Sequence, residues 1–139
     1  MTMVIDASMA LAWIYERQNP DEAHCAERAL KVSSATKTIV PALWHTEIAN
    51  GLLVGERRKV VTEALVIDYL RRLDNLPIAV HDQAPGARRT QIMALAREYN
   101  LTAYDATYLD LALHMGAVLA TFDGKLAMAM RGAGGTVFE

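Results

Sequence analysis

The chain has 139 residues, 53% of them hydrophobic, with a formal net charge of −2 and an isoelectric point near 6.1. That length predicts one domain, residues 1–139, with a core of its own. The charge excludes a protein that coats nucleic acid by bulk electrostatics. Attraction to a polyanion must then be local, and Arg57-Arg58-Lys59, Arg71-Arg72 and Arg88-Arg89 are the candidate patches, with solvated helix ends as the alternative. A lone cysteine, Cys25, excludes an internal disulfide, fits a reducing compartment and is expected to be a small buried hydrophobe. No apolar run reaches the ~18 residues of a membrane span, and no signal-peptide pattern opens the chain. A soluble, cytoplasmic protein without a membrane partner is expected.

Met3-Val4-Ile5 reads as a short buried strand stopped by Asp6, with Ser8 as the cap of a helix over Met9 to Tyr15. Asn19-Pro20-Asp21-Glu22 is a helix start: a cap, proline in the first turn, then two acids at the positive end of the dipole. Thr38-Ile39-Val40 is a second strand, closed by Pro41. Helices follow from Ala42 to Glu56 and from Thr62 to Leu73, then a third strand at Pro77 to Val80. Arg88 to Tyr99 is helical, with Asn100 in the left-handed conformation after it. Thr102 caps a helix to His114 that Gly116 ends, and Val118 to Thr121 is the fourth strand. A short helix over Lys125 to Met130 and a last strand, Thr136 to Phe138, complete the chain. Strands alternating with helices predict a three-layer α/β/α fold on a mostly parallel sheet.

Four acids stand where a strand or turn gives way to a helix, or on a helix flanking that edge: Asp6, Glu47, Asp105 and Asp123. The carboxyl ends of parallel strands share one edge, so acids far apart in sequence converge there. Converging carboxylates raise one another's pKa unless a cation sits among them. A set of hard oxygens without His or Cys suits Mg²⁺ or Mn²⁺ rather than zinc. Each acid has a bland alternative: a turn or cap for Asp6, a surface position for Glu47, a capping box from Thr102 for Asp105, the turn Asp123-Gly124 for Asp123. Asp110 lies about 140° round the helix from Asp105, so the two are not expected in one site. His24, His45, His81 and His114 show no ligand spacing, and Asp82 reads as a turn residue. A receiver domain would need paired acids after the first strand, and an aspartate-nucleophile phosphatase a second acid at position 8; Ala7 and Ser8 stand there instead.

The segments Val4-Ile5-Asp6-Ala7-Ser8, Glu47-Ile48-Ala49-Asn50, Tyr104-Asp105-Ala106-Thr107-Tyr108-Leu109-Asp110-Leu111-Ala112 and Thr121-Phe122-Asp123 resemble the PIN-domain ribonucleases, above all the toxins of VapBC-type toxin–antitoxin pairs. The resemblance covers essentially the whole chain, and the stretch around Asp105 is its most specific part. It implies a PIN-like fold and an endoribonuclease using Mg²⁺ or Mn²⁺ held by Asp6, Glu47, Asp105 and Asp123, with Ser8, Asn50 and Thr121 in support. It further implies an RNA substrate, a cognate antitoxin and a homodimer. An RNA processing or decay nuclease outside such a pair, or a non-catalytic module of the same fold, is the alternative.

Overall fold

A computed structural model describes all residues, 1–139. Strand β1 (Thr2–Ile5) leads into the short helix α1 (Ala7–Leu11), and α2 (Pro20–Ala35) returns the chain to β2 (Lys37–Val40). Helices α3 (Leu43–Arg57) and α4 (Glu63–Asp74) precede β3 (Ile78–Val80). The hairpin of α5 (Arg89–Tyr99) and α6 (Ala103–His114) precedes β4 (Val118–Ala120) and α7 (Gly124–Gly132). The four strands pair in the order β3-β2-β1-β4, all parallel. The expected fifth strand shrinks to one bridge, Leu119 with Val137, flanked by Leu119 N–H to Thr136 O and Phe138 N–H to Leu119 O.

Cap chemistry explains most of the boundaries. The Asn19 side chain accepts from the amides of Asp21 and Glu22, and Thr62 and Thr102 do the same for Leu65 and Asp105. Asn100 closes α5 at φ 53, the left-handed conformation an asparagine tolerates. One cap differs from the sequence reading. Asp6, not Ser8, caps α1, accepting from the amide of Met9 at 3.0 Å. The strand and helix therefore abut without a spacer.

The central strands β1 and β4 are apolar on both faces, as buried parallel strands must be; Met3, Val4, Ile5 and Leu119 have no exposed surface. Trp44 and Tyr108 fill the space beside them from α3 and α6. Trp13 is only half-buried and ties its indole N–H to Ala26 O, and Cys25 is half-buried rather than enclosed. Helix α3 approaches α1 closely because Gly51 and Gly55 face it: a Cβ at Gly51 would lie 2.5 Å from Leu11, and one at Gly55 would strike the Tyr15 hydroxyl. That close approach sets the position of α3, and with it Glu47. No helix is long and apolar enough to cross a membrane.

Candidate active site at the carboxyl edge of the sheet

Asp6 leaves β1 with its amide donating to Ala120 O, so its side chain stands at the strand ends, 5% exposed. Three donors hold it, all of them neutral. The Ser8 hydroxyl and the Met9 amide donate to Oδ1 at 2.7 and 3.0 Å, and the Thr121 hydroxyl donates to Oδ2. Burial dominates over these bonds and, with a smaller push from Asp123, raises the Asp6 pKa to about 6. Ser8 and Thr121 each do a second task. The amide of Phe122 donates to Ser8 Oγ at 2.9 Å, and the amide of Asp123 donates to Thr121 Oγ1 at 2.9 Å. The two hydroxyls thus lock the β4–α7 turn onto Asp6.

Asp123 caps α7, its Oδ1 accepting from Leu126 N–H at 3.0 Å. Asp105 is the third helical residue of α6, its amide donating to Thr102 Oγ1 at 3.1 Å, the N-cap half of the expected capping box. Its pKa is raised, first by burial and then by Asp123, against smaller opposing pulls from the Thr102 hydroxyl and Lys125. Asp123 therefore acts on both Asp6 and Asp105. Glu47, half-buried on α3, joins through a residue to which the sequence reading gave no role: the Tyr108 hydroxyl donates to Glu47 Oε1 at 2.5 Å. Burial, then Glu47, Asp6 and Asp105, hold that phenol well above its usual range. The available signal was helical spacing, since Tyr108 is three residues past Asp105 on one face.

Asn50 is exposed on α3 and bonds to none of the acids. No trio of acid, His or Cys side chains is spaced to hold an ion as it stands, so the four acids are neighbours in pairs rather than a closed cage. The donor chemistry still fits Mg²⁺, which takes one or two carboxylates and keeps several waters. None of the four is ion-paired; the protein's salt bridges are Arg17–Glu22, Asp68 with Arg71 and Arg72, Arg88–Asp110 and Arg131–Glu139. Asp110 points elsewhere, gripped by Arg88 at 2.7 and 3.1 Å, which also removes Arg88 from the candidate basic patches. Arg71 and Arg72 are likewise engaged, on the exposed side of α4, whereas Arg57, Arg58 and Lys59 remain exposed at the carboxyl end of α3. The Arg17 guanidinium, paired with Glu22, lies 4.4 Å over the ring of Phe122, the residue before Asp123.

A parallel sheet in this order, with a buried and unpaired acid, Asp6, at its carboxyl edge, defines a class. The chain belongs to the PIN-domain family, whose model matches residues 3–129. Within it, the chain is similar to Ribonuclease VapC3 of Pyrobaculum aerophilum, 33% identical over 129 residues that span 91% of this chain and 93% of that relative. The crystal structure of PAE2754 from Pyrobaculum aerophilum superposes with a TM-score of 0.70 at 26% identity, covering 95% of this chain and 90% of that one. The crystal structure of FitAcB from Neisseria gonorrhoeae gives 0.65 at 16% identity, over 99% and 96% of the two chains, and speaks for the fold.

Proposed function

We propose that the chain is a divalent-metal-dependent endoribonuclease, the toxin of a VapBC-type pair, acting in the cytoplasm. The observation that carries this reading is Asp6, buried at the ends of β1 and β4 among neutral donors only, with Asp123 acting on both it and Asp105. Kinship with a relative named as a ribonuclease supports the substrate class. Asp6 and Asp105 would hold Mg²⁺ or Mn²⁺ directly, with Glu47 and Asp123 orienting the attacking water or completing the ion's shell. Bound there, the ion supplies Lewis acidity and offsets charge developing on the phosphoryl oxygens. Ser8 and Thr121 orient Asp6, and Asn50 has room on the open side of α3 to meet the RNA. In the reaction, water oxygen would bond to phosphorus as the water gives up a proton to solvent, the bond to the departing ribose oxygen would break, and that oxygen would take up a proton from solvent.

An unneutralised acid cluster attracts a basic side chain from a partner, the contact by which an antitoxin would block it. Exposed apolar residues on α4, Leu65 and Ile67 at 55% and 52%, supply surface for a homodimer or for that partner. Asp6→Asn and Asp105→Asn should each retain the fold, lose the rise in melting temperature given by Mn²⁺ and lose RNA cleavage. Either variant cleaving at the wild-type rate removes that acid from the site. Growth arrest by the wild-type chain, relieved by a neighbouring gene product, separates a toxin from a processing nuclease. Absence of cleavage by the wild-type protein with either metal would favour the non-catalytic module.

A further inference from the structure

Three tyrosine hydroxyls reach into the interior, and two of them take main-chain carbonyls: Tyr69 donates to Ala10 O at 2.6 Å and Tyr15 to Gly51 O at 3.0 Å. A buried phenol needs an acceptor, and a carbonyl is the ordinary choice. Tyr108 departs from this. Its ring is 1% exposed and fixed by the core, and its hydroxyl meets Glu47 Oε1 at 2.5 Å, across 61 residues of chain. That length lies at the short end for an O–H···O hydrogen bond. Glu47 has no ion pair, and a free glutamate on a helix explores many rotamers, so the tie to a rigid ring removes freedom that site assembly would otherwise have to remove. Tyr108 also lies three residues past Asp105 on α6, near enough for Asp105 as well as Glu47 to act on its phenol.

We propose that Tyr108 is a positioning residue of the carboxylate site: its hydroxyl fixes Glu47 through one oxygen and leaves Oε2 as the oxygen that serves the ion or its water. The proposal rests on the metal-site reading above and assigns Glu47 a single-oxygen role within it. Partners of this kind, one bond removed from the ion, change metal affinity by about 10- to 100-fold when lost.

The test is direct Mn²⁺ binding by calorimetry to the full chain, beside thermal melts. Tyr108→Phe keeps the ring in the core and should weaken Mn²⁺ binding about 10- to 100-fold, while the same change in a Glu47→Gln background should add little. Glu47→Asp, which keeps the charge but withdraws it from the phenol, should weaken binding as well and covers the case of a poorly folded Tyr108→Phe. Asp105→Asn is the control on the site. If it abolishes binding while Tyr108→Phe and Glu47→Asp bind like the wild type, Tyr108 has no positioning role. If Asp105→Asn itself binds like the wild type, the carboxylate site fails and this proposal fails with it.

Discussion

Asp6 and Asp110 are buried to the same degree, each 5% exposed, and the protein treats them in opposite ways. Asp110 on α6 receives both arms of the Arg88 guanidinium, and the charge is matched within the fold. Asp6 receives two hydroxyls and one amide, none of which brings a positive charge, and burial pushes its pKa to about 6. A buried carboxylate with a bidentate arginine ties elements together, here the start of α5 to α6. A buried carboxylate with neutral donors is held in place yet left short of a counter-charge. The second arrangement destabilises the isolated fold; under the proposed function it is where a metal ion or a partner's basic side chain would supply the missing charge.

Converting one arrangement into the other breaks the comparison most severely. Arg88→Met should leave Asp110 buried and unpaired, the situation of Asp6 without its three donors. We expect the greatest loss of stability of the variants discussed here, measured by urea unfolding, because an unpaired buried charge is left behind. Asp110→Asn in that background should recover part of the loss; a single Arg88→Met as stable as wild type would show the pair to be incidental. The reverse change, Asp6→Asn, should stabilise the metal-free protein. The folded pKa of Asp6, about 6, lies above its ordinary 3.8. Between those values the native state holds a proton that the unfolded chain has released, so wild-type stability falls as pH rises from about 4 to about 6 and stays lower above that. The difference is roughly 3 kcal/mol, and Asp6→Asn should remove this slope. An unchanged slope in the variant would show that another group titrates there.

Local chemistry was readable in the sequence wherever the deciding atoms are near neighbours. Asn19 and Thr102 each accept from a backbone amide within a turn and Asn100 takes the left-handed conformation, as their residue types predict. The proximity of Asp6 and Asp123 was readable because β1 and β4 end side by side at the carboxyl edge of a parallel sheet. The cap of α1 was misread because Asp6 and Ser8 are both good caps. The choice depends on β1 pairing with β4 as far as Ile5 and Ala120, and the Asp6 amide continuing to Ala120 O, a contact the local sequence does not encode. The last strand was overextended because pattern alone does not limit pairing, and only Val137 bridges to Leu119. The Arg88–Asp110 and Tyr108–Glu47 contacts span 22 and 61 residues, and they exist only once α5, α6 and α3 have packed.

The smallest expected effect separates two tasks of one hydroxyl. Ser8 Oγ donates to Asp6 and accepts from the Phe122 amide, so Ser8→Ala removes a donor from the acid and a partner from the amide. The second loss costs about 1 to 2 kcal/mol at any pH, the ordinary consequence of leaving a largely buried amide unpaired. The first depends on pH. The Ser8 hydroxyl favours the charged form of Asp6, so its removal should push that pKa further up and widen the gap between acid and neutral stability. In an Asp6→Asn background the widening should vanish while the Phe122 cost persists. Urea unfolding of the two single variants and the double, at pH 4.5 and pH 7.5 without metal, reads both components. A Ser8→Ala penalty equal at the two pH values would mean that Ser8 serves the β4–α7 turn alone and leaves the electrostatics of Asp6 untouched.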